Sequence, residues 1–490
     1  MSENSKRPGT AAFALIVALS SALYITKPIS DPDLGWHVVI GRWILSHRTF
    51  PTTEHWNMFA LGKPWIAYSW STEILFAALD RLLGFHGLLL LQIGIGTLFA
   101  LTLTYCLVKM ARSFGVGLLL ALYVTLACFN HFTLRPQLLT WIYFLALTFT
   151  AWRIDEEGVS TGKIAALIVI MIAWANTHIT TIFGVVTVFL WLLSDRQMKR
   201  AATLTLISFI ATLITPYFGQ EWLTLFSKTS HPFSHQGISE FNASSILQTT
   251  PGLLLLELAL LLFFMHKRKK AVDPGKLLLS FGFILAGAAL VKFLPFSLIS
   301  VTLLLALIWG SEEDPKVFGN LGEAVSRLGA FVEHRSLLIA IAMLTFAGGK
   351  FYLLWKSPVD RSRSAAAAFE FAEANKLPEP LLVPFDFGGH LMYRISDTKG
   401  VLRYPVPIDG RTNVVPPDVW QEFIDAYRGK SGWNRYLQRV NPGAVIWRTD
   451  SPFVSLLLAG GQWCEVHRSG TGINESSVLI KREEGPCPPL

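Results

Sequence analysis

Asp31, Asp33 and His37 fall within one seven-residue stretch, directly after the first apolar segment of the chain, residues 11–28. Two carboxylates and an imidazole so close together are the ingredients of acid/base chemistry. A carboxylate there can take the proton of an attacking hydroxyl, and the low dielectric of a membrane boundary raises its pKa toward that role. Held where an apolar helix leaves a bilayer, the group suits a reaction on a lipid-linked substrate. The competing role is structural, because Asp is a favoured helix N-cap and the residues after Asp33 read as a helix. Cations able to stabilise a departing phosphate recur along the chain at Arg42, Lys63, Arg135, His178 and Lys292.

The elements that must position these groups are membrane helices. Of 490 residues 52% are hydrophobic and 16% charged, and mean hydropathy is +0.44. Apolar runs near the length of a bilayer span recur from residue 11 to 354. Backbone groups in hydrocarbon must be satisfied internally, and without period-2 alternation that means helices rather than a barrel. We expect a polytopic α-helical protein with about eleven spans, near 11–28, 87–108, 114–131, 137–152, 164–178, 179–194, 201–216, 252–265, 277–293, 295–310 and 336–354. With Lys6 and Arg7 cytoplasmic, alternate connections carry Lys109 and Arg112, Arg153 and Lys163, Arg196 to Arg200, His266 to Lys270, and Lys316 to Arg335 on one side, as the positive-inside rule requires. The site residues then fall on the opposite face of a multi-pass inner (plasma) membrane protein. The net charge of +8 is thus topology and not a nucleic-acid footprint. Segment 11–28 has a second reading as a signal peptide, with small residues at Ser20-Ser21-Ala22.

Between the first two spans lies a Trp-rich connection, 29–86, with interfacial amphipathic stretches near 35–48 and 68–83. Residues 1–354 therefore read as a transmembrane domain with its reactive first loop, and 355–490 as an exported α/β domain. Strands are expected at Leu381–Phe385, Val401–Tyr404, Ala444–Arg448, Trp463–His467 and Ser477–Lys481, with helices near 364–376 and 416–440. Cys464 and Cys487 share that domain, where a disulfide is permitted, while Cys106 and Cys128 sit in spans. No Cys/His spacing forms a zinc site and no phosphate loop occurs; the sequence identifies no cofactor, and a divalent metal is left open.

Asp31-Pro32-Asp33-Leu34-Gly35-Trp36-His37 is followed by Gly41-Arg42-Trp43-Ile44, Pro51-Thr52-Thr53, Gly62-Lys63-Pro64-Trp65 and Trp70 to Glu73. Further on come Leu134-Arg135-Pro136-Gln137, Trp174 to His178, Thr215 to Gly219, Phe387-Gly388-Gly389-His390 and Pro407-Ile408-Asp409-Gly410-Arg411. In order and spacing these motifs resemble a bacterial group of GT-C-type multispanning glycosyltransferases, distantly similar to protein mannosyltransferases and aminoarabinose transferases. The resemblance implies an acidic catalytic residue in the first extracytoplasmic loop, three residues before an aromatic. Asp33, three before Trp36, matches best, and Asp31 is second. The sequence departs from the pattern at Gly35, where an aromatic is expected, and at Tyr68-Ser69, where His-Glu is expected.

The expected activity is inverting transfer of a sugar from a polyprenyl-phosphate donor to an extracytoplasmic glycan, lipid or protein, with Asp33 as general base. Arg42, Lys63, Arg135, His178 and Lys292 are candidates for the donor phosphate, and His37 and Trp36 for substrate contact. Each has a plainer alternative: snorkelling for Arg135 and Lys292, an interhelical hydrogen bond for His178, an interfacial aromatic belt for Trp36. Gly388-Gly389 and Asp409-Gly410-Arg411 read as tight turns. Two other classes compete, a lipid or sugar transporter or flippase and a non-catalytic envelope scaffold; clustering of the polar groups on one face favours the enzyme.

Overall fold

The computed structural model describes residues 9–193, 197–230, 245, 249–267, 271–312, 314–363, 365–482 and 487. The chain packs as two compact units. One comprises Met1–Lys27, Leu89–Gly219 and Ile238–Lys356, and the other Pro28–Leu88, Gln220–Gly237 and Ser357–Leu490. The division departs from a cut at residue 354, because the first loop packs with the C-terminal chain.

The first unit is helical. It holds α1 (Gly9–Ile25), the later part of α3 (Trp70–Ala111), α4 (Phe114–Ala127), α5 (Gln137–Glu157), α6 (Thr161–Ala175), α7 (Thr181–Leu192), α8 (Met198–Ala211), α10 (Thr249–Lys267), α11 (Pro274–Ala289), α12 (Leu294–Gly310), α13 (Gly319–His334) and α14 (Ser336–Lys356). Each stretch expected to span coincides with a helix, but only five helices among the described residues are long and apolar enough to cross a bilayer alone. The count of eleven spans is therefore not established. α13 is an addition, where a plain connection was expected: it buries Gly322, Gly329 and Val332 and exposes Leu321, Leu328 and Phe331. Short connections force antiparallel neighbours, so successive helix ends alternate. At one end Asp155 accepts from Lys276 at 2.6 Å and Arg200 at 3.4 Å. At this same end Arg112 lies between α3 and α4, Arg153 near the end of α5 and Lys163 in the first turn of α6. At the other, Asn176 donates to Ile214 O at 2.9 Å, Phe183 meets Phe293 at 4.9 Å, and Tyr24 lies 6.0 Å from Phe346 and 5.8 Å from Phe129.

In the second unit α2 (Leu34–His47) and the start of α3, up to Gly84, realise the two amphipathic stretches of the first loop. Gly84 interrupts α3 with φ 56°, a backbone that favours glycine. The same unit contains α9 (Gln220–Ser230), α15 (Ala366–Ala374), β1 (Leu381–Leu382), α16 (Phe385–Ile395), α17 (Pro417–Tyr427), α18 (Asn434–Val440), β2 (Ala444–Arg448), α19 (Pro452–Ala459), β3 (Trp463–Ser469) and β4 (Ser476–Lys481). The sheet order is β1-β2-β4-β3, with β1 parallel to β2 and the rest antiparallel. Three expected strands match. The first is cut to two residues, because α16 begins right after Pro384. Residues 401–404, hemmed between Gly400 and Pro405, make a single bridge, Ser396 with Leu402. The core under the sheet gathers Trp420, Phe423, Tyr436, Trp447 and Phe453, and Cys464 is bonded to Cys487.

Candidate active site

The carboxylates sit at the head of α2. Asp31 Oδ1 accepts the backbone N–H of Asp33 at 2.9 Å, closing an Asx-type turn. Asp33 occupies the N-cap position, where its backbone carbonyl accepts from His37 N–H at 3.3 Å and its side chain makes no cap hydrogen bond. The positive end of the α2 dipole favours negative charge at this spot. Both carboxylates are half-buried.

Glycines bring the remaining chain onto this turn. A Cβ on Gly35 would overlap Gly389 O, one on Gly389 would overlap Pro32 O, and one on Gly388 would overlap Ile408 O. Gly35 thus stands where an aromatic was expected because α16 leaves no room there. Gly388 and Gly389 lie inside α16, not in the tight turn expected of them, and serve close packing of α16 against the head of α2 and residues 408–409. Asp31 faces a cavity of about 40 Å³ beside Arg363, Asp386, His390 and Tyr393, with Ile29, Leu34 and Phe85 as its apolar wall. That volume holds a few waters and not a sugar ring. His390 Nε2 accepts from Arg394 Nε at 3.1 Å. Burial, with the Arg394 charge beside it, lowers its pKa to about 3, so the ring is neutral at physiological pH.

The other sequence candidates in this unit take structural partners. His37 is 4% exposed, and its Nδ1 lies 3.0 Å from Glu73 Oε1, a buried pair that braces α2 against α3. Trp36 is buried as well, its ring 3.5 Å from that of His37, and its Nε1 has no hydrogen-bond partner. Arg42 donates to Asp80 at 2.7 Å and Ser396 at 3.0 Å, and Tyr393 donates to the second Asp80 oxygen at 2.8 Å. Burial, then Asp80, pushes the Tyr393 phenol up to about 12. Lys63 is exposed on the turn that ties Glu54 to Lys63 through their backbones. His55 stacks on Trp43 at 4.9 Å.

Sequence reasoning missed the most buried charge cluster of the unit. Arg411, 1% exposed, donates through Nη1 to Glu54 Oε2 at 2.8 Å and through Nε to Asp409 Oδ1 at 2.8 Å. Its Nη2 donates to the second oxygen of each carboxylate, at 3.1 and 2.8 Å. The rings of Trp56 and Trp65 flank the guanidinium at 5.5 and 5.1 Å. Burial opposes its charge, but Asp409 and Glu54 outweigh burial and hold the pKa above the ordinary value. Asp409-Gly410-Arg411 is therefore an ion-pair knot as well as a turn; the signal available was an acidic residue inside the Trp-rich first loop, Glu54. Tyr68 is buried, and burial, Glu73 and Asp33 together raise its pKa.

Arg135, His178 and Lys292 belong to the helical unit. Arg135 precedes α5, His178 lies between α6 and α7, and Lys292 lies in the turn Val291–Phe293. The alternation of the helices sets all three connections at one end of that unit. His178 Nδ1 accepts the Thr180 N–H at 3.3 Å, and Lys292 Nζ lies 5.1 Å from the Phe293 ring. Among the described residues, no group of three or more His, Cys, Asp or Glu side chains is disposed to hold a metal ion.

No protein-family model matches the chain, and no curated protein matches it. Among solved structures it is similar to the crystal structure of the Archaeoglobus fulgidus oligosaccharyltransferase in complex with Zn and sulfate. The TM-score is 0.51 at 11% identity, over 89% of this chain and 68% of that one. At such low identity the likeness is one of fold alone.

Proposed function

We propose that the protein is an inverting glycosyltransferase of the inner membrane that moves a sugar from a polyprenyl phosphate to an extracytoplasmic glycan, lipid or protein. Within the GT-C fold, the first-loop motifs ally it with the bacterial group they resemble. Asp33 acts as the general base. It takes the acceptor O–H proton as that oxygen attacks the anomeric carbon, and the bond from that carbon to the phosphate oxygen breaks with its electron pair leaving on the polyprenyl phosphate. The observation that carries this reading is the placement of Asp33, half-buried at the positive end of α2, in a chain whose fold is shared with an oligosaccharyltransferase. Asp31 shapes the turn and faces the adjoining cavity. The reading is tested by release of undecaprenyl phosphate from a panel of synthetic undecaprenyl-phosphate hexoses and pentoses, with the wild-type protein in proteoliposomes and envelope extract as acceptor. Protein-dependent release supports it, and none with any donor overturns it.

Arg135 is the guanidinium we assign to the donor phosphate, because its fork matches phosphate oxygens in a bidentate way that an ammonium cannot. Arg135→Lys and Arg135→Ala are expected to raise the donor concentration needed for half-maximal transfer. An unchanged donor titration in both would make Arg135 an interfacial anchor and leave Lys63 or Lys292 as the phosphate partner.

The cation-rich end of the helical unit is taken as cytoplasmic. α1 and α14 then deliver the first loop and residues 357–490 outside the cytoplasm, a compartment that suits the Cys464–Cys487 bond. A single cysteine introduced at Lys430 is expected to react with a membrane-impermeant maleimide in intact cells. Labelling only after permeabilisation would reverse the topology.

A further inference from the structure

A Cβ on Gly410 would overlap Asp33 Oδ1, with Asp33 Cγ at 2.8 Å and Trp36 Nε1 at 3.0 Å. The backbone does not require glycine there, since φ at Gly410 is not positive; the space does. No other residue type lets the 409–411 chain lie against that carboxylate. The chain is pinned on both sides. Asp409 and Arg411 are 0% and 1% exposed, and Arg411 is locked to both Asp409 and Glu54. Before them, Val406 N–H donates to Trp56 O at 2.8 Å, Met58 N–H donates to Val406 O at 3.0 Å, and Asn57 Nδ2 donates to Pro407 O at 3.3 Å. The C-terminal chain is thus stitched to the first loop over 54–58 and reaches Asp33 as bare backbone.

We propose that Gly410 is a positioning residue for Asp33, and that the buried Glu54–Arg411–Asp409 cluster exists to hold Gly410 in that place. The inference rests on the reading of Asp33 as the base. Through Gly410 the C-terminal domain fixes the orientation of a carboxylate that belongs to another part of the chain. A methyl group at 410 meets the side chains of Asp33 and, at its margin, Trp36 rather than backbone, so Gly410→Ala is expected to move the carboxylate and leave the fold.

The test uses the purified full chain. A water-soluble carbodiimide with glycinamide reports the reactivity of Asp33 by mass spectrometry, with Asp31 as internal comparison, and undecaprenyl-phosphate hexoses report transfer. Gly410→Ala is expected to melt as the wild type does, to change the labelling rate of Asp33 but not of Asp31, and to lower kcat about 100-fold with donor KM unchanged, the scale of a misplaced reacting group. On an Asp33→Asn background it is expected to add no further loss. Wild-type labelling and kcat in Gly410→Ala, a change in KM alone, or full additivity with Asp33→Asn would each overturn the proposal. Should Gly410→Ala fail to fold, Glu54→Gln, which loosens the cluster without changing side-chain size, is expected to alter Asp33 labelling, and an unaltered rate overturns it. Retained transfer in Asp33→Asn would instead sink the catalytic reading, with the labelling rate still deciding whether Gly410 positions the side chain.

Discussion

Asp33→Asn is expected to lower sugar transfer by about 10²–10⁴-fold, the range of general-base catalysis, while leaving insertion and folding intact. The substitution preserves side-chain size next to Gly410 and removes only the basic oxygen. Asp31→Asn is expected to cost less, because an amide oxygen can still accept the Asp33 N–H now bound at 2.9 Å. Hexose transfer from undecaprenyl phosphate by both variants in proteoliposomes measures the difference. An active Asp33→Asn beside an inactive Asp31→Asn would move the base to Asp31, which already faces the cavity; activity in both would end the catalytic reading of the loop.

Arg411→Ala is expected to destabilise the second unit by about 3–5 kcal/mol, as does removal of one partner of a buried ion pair. It strands the carboxylates of Glu54 and Asp409, 2% and 0% exposed, without their shared cation. Arg411→Lys is also expected to destabilise, since one ammonium cannot donate to four oxygens in the geometry of the guanidinium fork. Limited proteolysis of the purified chain is the measurement: early cleavage within residues 357–482 is expected, and wild-type resistance would show that the cluster contributes little to holding this unit together.

What was legible in the sequence follows from the range of the forces involved. Helices were readable because hydrocarbon leaves the backbone no alternative, and the apolar runs mark their ends to within a few residues; three of the C-terminal strands were readable from their β-rich runs. The helix at 319–334 was missed because its apolar residues are too few to resemble a span, and only an amphipathic pattern could have revealed it. At the site, the head of α2 was legible from Asp-Pro-Asp. The partners were not. His37 with Glu73, Arg42 with Asp80, and Arg411 with Glu54 are contacts across 36, 38 and 357 residues, and a single sequence carries no signal that pairs them. The same blindness made Gly388-Gly389 look like a turn, since close helix packing and tight turns both call for glycine.

Asp33 as the base is tested most directly by a structure of the protein with a non-cleavable phosphonate analogue of undecaprenyl-phosphate hexose bound. The anomeric carbon is expected to face Asp33, with room for an acceptor hydroxyl at about 2.6–3.2 Å from its carboxylate, and Gly410 still against that side chain. A sugar bound out of reach of both Asp33 and Asp31 would contradict this mechanism.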